Sequence, residues 1–259
     1  FSFNSFIIAQ SWTQVGQDIV GEAVDDQSGR PVAISGDGTT IVIGARFNDG
    51  NGANSGHIRV YRISGVNWTQ VGQDIDGEAQ EDEFGASVSI SENGNRIAVG
   101  APNNSANGAN SGHVRVFEYA NNTWTQLGQD IDGPYQNVFS GRYRTVNLSM
   151  DGNRVVIGHQ KPSQSSSNDN HGHVRVYQYS GGNWTQVGQA IDGIGIFNRT
   201  SINGNGSIIG VGSYNHNNSN GDQAGTTRMY QLQGNVWTQI GQDIYGEAAY
   251  DISGGKISL

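Results

Sequence analysis

Along most of this chain apolar and polar residues alternate in short runs, and no stretch carries the three-to-four residue spacing of an amphipathic helix. The clearest unit holds ASVSIS (86–91), RIAVGA (96–101), HVRVFEY (113–119) and WTQLGQDI (124–131), separated by turn-forming residues. Val88, Ile90, Val99, Val114 and Val116 sit at alternating positions, which suits strands whose sheet is covered on both faces. Glu92-Asn-Gly-Asn95 joins the first two runs, and the equivalent places hold Asp37-Gly38, Asp151-Gly152 and Asn203-Gly204. Such pairs supply the positive φ angles of a tight hairpin. The third and fourth runs are joined by turns of the same kind, at Gly65-Val-Asn67, Asn121-Asn122 and Gly181-Gly-Asn183.

The unit is repeated. Trp-Thr-Gln-(Val/Leu/Ile)-Gly-Gln begins at Trp12, Trp68, Trp124, Trp184 and Trp237, with spacings of 56, 56, 60 and 53 residues. Self-similarity at this period means that one supersecondary unit has been stacked. Four antiparallel strands per unit predict an all-β fold, a β-propeller of four-stranded blades with about 56 residues per blade. The recurrent Trp is expected to pack between blades with its indole N–H satisfied locally; a ring of sugar-stacking tryptophans is the alternative. Four complete blades run from about Gly29 to Ile244. An outer-type strand (Trp12–Ile19) precedes them and an inner-type strand (Gly254–Leu259) follows, so 11–259 reads as a propeller cut short at its C-terminus. Residues 1–10 (FSFNSFIIAQ) lack the repeat pattern and read as the tail of a secretory signal peptide, or else as an N-terminal strand. The first reading predicts a secreted, extracellular or cell-surface protein.

Composition narrows the function. The 39 glycines and 14% charged residues suit many short strands and turns. Without cysteine there is neither a disulfide framework nor a thiol-ligated metal site. A net charge of −9 argues against nucleic acid and anionic membrane surfaces, and no run is long enough to insert into a membrane.

Within the second copy, Phe84-Gly85, Gly100-Ala101-Pro102 and Gly112-His-Val-Arg-Val-Phe117 resemble the FG-GAP repeat of integrin α-subunit propellers and of many secreted bacterial proteins. The first copy keeps Gly29, Gly44-Ala45 and Gly56-His-Ile-Arg-Val-Tyr61; the third keeps Gly158 and Gly172-His-Val-Arg-Val-Tyr177; the fourth keeps Gly212 and Gly225. The resemblance implies a propeller with the Gly-preceded strand innermost and the Trp phrase outermost. It also implies calcium in an Asp-rich loop between strands one and two. Here that place holds only Ser35-Gly-Asp37-Gly38 or Ser91-Glu-Asn93-Gly94, too short for the six to eight oxygens calcium takes. No cofactor is expected, with calcium left open only at Asn48–Asn54, which loosely resembles an oxygen-donor loop.

Strand direction puts the two-to-three loops (46–56, 102–112, 160–172, 213–225) on one rim with the four-to-one links, including the acidic Val20–Ser28 and Asp76–Glu83. Loops on a rigid repeat scaffold are the default binding surface. The third and fourth copies lose most of the acids, so Asp49, Asn51, Glu78, Glu81 and Asp82 are the leading ligand-binding candidates. His57, His113 and His173 recur at the start of strand three and read as structural hydrogen-bonding residues, while His159, His171 and His216 read as loop residues. Arg59, Arg115, Arg175 and Arg228 in strand three are expected to pair with Asp74, Asp130 and Asp243 of strand four in the same blade, Ala190 breaking the series. There is no GxSxG, HExxH or phosphate-cradling loop, and no metal or catalytic residue is assigned.

The leading expectation is a non-enzymatic scaffold for adhesion or for binding a protein or glycan ligand on an extracellular surface. A carbohydrate-binding module is the alternative and would use rim aromatics, of which Phe47, Tyr135 and Tyr214 qualify. A lyase or hydrolase would rest on Arg142, Tyr143, Arg144 and His159.

Overall fold

The structure, a computed structural model, describes residues 12–160, 172–192, 195 and 198–259; the expectations for residues 1–10 and for His171 lie outside them. The described residues form no helix, only four antiparallel sheets in chain order. The first blade holds β1 (Val32–Ile34), β2 (Thr40–Ala45), β3 (His57–Ser64), β4 (Asn67–Gln70) and β5 (Ile75–Asp76). The second holds β6 (Ser87–Ile90), β7 (Arg96–Ala101), β8 (His113–Ala120), β9 (Thr123–Gln126) and β10 (Ile131–Asp132). The third holds β11 (Val146–Leu148), β12 (Arg154–His159), β13 (His173–Ser180), β14 (Asn183–Gln186) and β15 (Ile191–Asp192). The fourth holds β16 (Arg199–Ile202), β17 (Ile208–Ser213), β18 (Thr226–Gln233) and β19 (Val236–Tyr245). This is a β-propeller array of four complete blades.

The outer strand differs from expectation. In three blades it is split: β4 and β5 both pair with β3, β9 and β10 with β8, and β14 and β15 with β13. Only β19 is continuous, with a register shift between Thr227 and Met229. The first residue after each outer half, Val71, Leu127 or Val187, keeps its N–H on the neighbouring strand, and the chain leaves the ladder after it, where it meets the next blade.

Period-2 alternation builds three cores, one at each blade junction. Ile97, Val99 and Ala101 of β7 face the first blade beside Val42, Ile58 and Phe84, whereas Ala98 faces the third beside Val155 and Ile157. Val156, Val174, Ile209 and Val211 fill the last junction. Phe84-Gly85 and Gly100-Ala101 belong to this packing: a Cβ on Gly100 would lie 2.2 Å from the carbonyl oxygen of Gly141, so only glycine admits the next blade.

Each junction is closed at its outer edge by the Trp phrase. Trp124, Trp184 and Trp237 are each 3% exposed, and their indole N–H groups donate to Val71 O (2.8 Å), Leu127 O (2.6 Å) and Val187 O (2.8 Å) of the preceding blade. The N–H partner therefore lies across the junction rather than within the blade. The second Gln of the preceding phrase grips the same residue by its backbone: Gln73 Nε2 donates to Trp124 O at 2.9 Å and Gln73 Oε1 accepts from Trp124 N at 3.3 Å. Gln129 and Gln189 do the same for Trp184 and Trp237. The ring lies against the glycine of that phrase. At Gly72 a Cβ would meet Trp124 Cδ1 at 2.6 Å, and the φ of +75° is one that L side chains rarely adopt. Trp68 is held similarly by Val15 and Gln17, while Trp12 is 99% exposed.

Removing one ring leaves a cavity and an unpaired carbonyl, so Trp124→Ala lowers unfolding free energy by about 3–5 kcal/mol. Gly72→Ala is strongly destabilising, and Trp12→Ala changes stability by less than about 0.5 kcal/mol. Chemical denaturation of the three variants checks this ordering.

Candidate functional site

The rim is built by zipping each two-to-three loop onto the following link. Glu81 N donates to Ala53 O (2.8 Å), Glu83 N to Asn54 O (3.1 Å) and Phe84 N to Ser55 O (3.0 Å). One blade later Asn137 N, Phe139 N and Ser140 N bond Ala109 O, Asn110 O and Ser111 O in the same pattern. Both loop sets thus share one face, as strand direction requires.

The sequence candidates occupy this face in different roles. Asp49 is exposed and caps its own loop by accepting from Asn54 N at 2.8 Å; Ser105 and Asn217 do the same for Asn110 and Gln223. Asn51 donates to Gly77 O at 2.8 Å, as Asn107 does to Gly133 O and Asn220 to Gly246 O. Asp82 is 5% exposed and accepts from Asn104 (2.9 Å), matching Asp26 with Asn48 (3.0 Å). Burial pushes the Asp82 carboxyl upward, against the bond from Asn104. These three carry bonds that recur from blade to blade. Asn48 and Asp49 spend oxygens on Gly50 N and Asn54 N, so the Asn48–Asn54 loop turns donors inward that a calcium ion would need. Glu81 is exposed, touched only at its edge by Asn54 (3.2 Å). With Asp82, Asn103, Asn104, Ser105 and Asn110 it lines an open cleft of about 490 Å³.

Glu78 goes elsewhere, to a histidine cluster that sequence reasoning missed. Its Oε2 lies 4.0 Å from Nδ1 of His113, and Asp130 Oδ2 lies 3.8 Å from the same nitrogen. His113 begins β8 and is fully buried, and neither ring nitrogen makes a hydrogen bond. Burial, with the Arg115 charge adding to it, pushes its pKa down to about 4. Glu22, His57 and Asp74 repeat the arrangement one blade earlier, with His57 2% exposed. In each cluster the three ligand-type atoms lie within 4.8 Å of one another, a donor set able to hold a metal ion. The third blade has Pro134 and Ala190 in place of the two acids, and there His173 Nδ1 instead meets Asp192 Oδ1 at 3.1 Å. That coincident loss of both acids was the signal available in the sequence.

In the first two blades the arginines of strand three pair across the junction rather than within the blade. Arg59 reaches Val20 O (2.8 Å) and Glu22 (3.5 Å), and Arg115 reaches Asp76 O (2.9 Å) and Glu78 (3.4 Å), all in the preceding link. Among the described residues, the same-blade pair forms only in the fourth blade, where Arg228 holds both oxygens of Asp243 at 2.7 Å. In the sequence, Ile194 stands at the position of the link glutamate. His159 also differs from expectation. It ends β12 at 1% exposure, with Nδ1 2.6 Å from Ser140 Oγ, itself buried. Such a pair has no open side for a substrate. Tyr143 is bonded by Arg46 and lies under Arg142 (4.9 Å). Burial would raise its pKa, but the bonds from Arg46 and Arg142 outweigh it and hold the phenol low. The rim aromatics are engaged internally: Arg46 sits over Phe47 (4.2 Å), Tyr135 is edge-on to His173 (6.3 Å) and Arg199 lies over Tyr214 (5.4 Å).

Residues 21–61 and 74–117 match the FG-GAP repeat, and each match spans one link glutamate and its histidine. No curated protein matches the chain in sequence. Among solved structures, a protein from Lactobacillus plantarum is similar over 92% of this chain and 60% of its own, at 14% identity and a TM-score of 0.55. A candidate 6-phosphogluconolactonase from Bacteroides uniformis is similar over 85% of this chain and 55% of its own, at 17% identity and a TM-score of 0.53. At these identities the likeness concerns the fold alone, and this chain spans little more than half the length of either. No helix among the described residues is long and apolar enough to cross a membrane.

Burial and the Arg175 charge keep folded His159 well below its ordinary pKa. Between that lowered value and the unfolded value near 6.5, the unfolded chain binds a proton that the folded one refuses. The His159 contribution to stability therefore falls as pH drops below about 6.5, and His159→Gln makes this part of the profile shallower, leaving the share of His113. Melting temperatures from neutral to mildly acid pH measure the slope.

Proposed function

We propose that this FG-GAP-repeat β-propeller is a non-catalytic, extracellular scaffold that binds a basic protein ligand at its acidic rim. The observation that carries the reading is the cleft of about 490 Å³ between the 76–83 link and the 102–112 loop, whose size suits a ligand side-chain cluster. Its wall presents Glu81 to solvent beside Asp82, while Glu78 and Glu83 of the same link are paired with Arg115 and Arg46. The scaffold beneath is rigid, because loop and link are tied by repeated backbone bonds. An acidic cleft of this kind favours basic partners through charge complementarity.

Two observations weigh against other readings. The residues lining the cleft include no aromatic ring for sugar stacking, and the rim aromatics Phe47, Tyr135 and Tyr214 pack against the protein's own side chains. The histidine that touches a serine is buried with it, and the sequence motifs offer no activated nucleophile. Secretion rests on the apolar character of residues 1–10.

Immobilised chain presented with arrays of basic and acidic peptides, and with neutral polysaccharides, tests the reading. Binding is expected to basic peptides, to weaken with salt, and to fall at least about tenfold in Glu81→Lys. Retention of neutral polysaccharide alone, unchanged in Glu81→Lys, would overturn it in favour of a carbohydrate-binding module.

A further inference from the structure

The His113 cluster holds a group that its surroundings do not satisfy. A fully buried imidazole whose two nitrogens both lack a hydrogen bond is costly, because it has given up water for nothing. Its Nδ1 points at two carboxylate oxygens, yet separations of 3.8 and 4.0 Å are too long for hydrogen bonds. They do suit two ligands on a shared ion, since metal–ligand bonds of roughly 2.0–2.2 Å set donors about 3–4 Å apart.

The carboxylates are also prepared, each by its other oxygen. Gln126 Nε2 donates to Asp130 Oδ1 at 2.6 Å, leaving Oδ2 toward the histidine. Arg115 holds Glu78 Oε1 at 3.4 Å, leaving Oε2 toward the same nitrogen. The guanidinium is fixed in turn by Asp76 O and by the Phe84 ring, 4.4 Å away. Outer contacts that orient ligands in this way are characteristic of metal sites. Blade one repeats the device with Arg59 on Glu22 Oε1 and Gln70 on Asp74 Oδ1, and Glu22 Oε2 lies 3.6 Å from His57 Nδ1.

We propose that Glu78, His113 and Asp130, and likewise Glu22, His57 and Asp74, are two divalent-cation sites, each joining a blade to the link that precedes it. One imidazole nitrogen with two carboxylate oxygens suits a borderline ion such as Zn²⁺ rather than calcium, which takes oxygen ligands alone. The ion would neutralise two acids held beside a buried ring and supply the partner that the ring lacks. The third blade is the natural control: with Pro134 and Ala190 it offers no such set, and its histidine bonds Asp192 instead. The inference is independent of the rim's ligand.

The test is calorimetric titration of the untagged, EDTA-stripped chain with ZnCl₂, with CoCl₂ absorption as a second readout. Two sites per chain are expected, one in Glu78→Gln, one in Asp130→Asn and none in Glu22→Gln/Glu78→Gln, with no competition from calcium. Melting of each variant in EDTA, within a few degrees of the parent, establishes that it is folded. Zn²⁺ is expected to raise the melting temperature of the parent and not of the double variant. Absence of saturable Zn²⁺ uptake by the parent, or the same stoichiometry in the double variant, would overturn the proposal.

Discussion

The array depends on an indole ring laid on a glycine of the preceding blade. A blade alone cannot bury its apolar faces; it is stable only against a neighbour. The contact of Trp124 with Gly72, Val71 O and Gln73 fixes how that neighbour sits, because it combines close packing with hydrogen bonds of fixed direction. Val71 keeps its N–H on Val60 O while its carbonyl accepts from the ring, and Gly72 and Gln73 leave the ladder, so β4 and β5 are separate strands. The recurring phrase is therefore two half-contacts in one: its Trp reaches backward and its Gly-Gln reaches forward.

That geometry sets the rim. With blades held at a fixed offset, the 46–56 loop meets the 76–83 link and Phe84 N reaches Ser55 O. The same offset brings Glu78 of the link beside His113 and Arg115 of the next blade. Charge on this face is thus placed by packing at the outer edge of the molecule. A weakened junction would loosen the acidic rim and the histidine clusters together.

Much of the architecture was legible in the sequence, because turn pairs such as Asp37-Gly38 and the recurring Trp phrase report local physics. Strand order and the sharing of one rim by loops and links followed from strand direction alone. The split outer strand was not legible: residues 128–130 continue a strand-like phrase, and only the neighbouring blade shows why they leave the ladder. The site was read in part. Glu78 stood out by charge, but its partner lies 35 residues on and in another blade (78 to 113), and repetition argued that the histidines were scaffold. Arg59 and Arg115 misled in the same way, since pairing within a blade is visible in sequence spacing and pairing across a junction is not. Asp49, Asn51 and Asp82 have the chemistry of ligand-binding residues, but their bonds recur from blade to blade.

The central claim is that the tryptophans join blades rather than present rings to a ligand. It is tested most directly by hydrogen exchange at the five indole N–H groups, followed by NMR on the folded chain. The account predicts strongly slowed exchange at Trp124, Trp184 and Trp237, whose N–H groups are bonded and buried, and free exchange at Trp12. Equally rapid exchange at all five would contradict it.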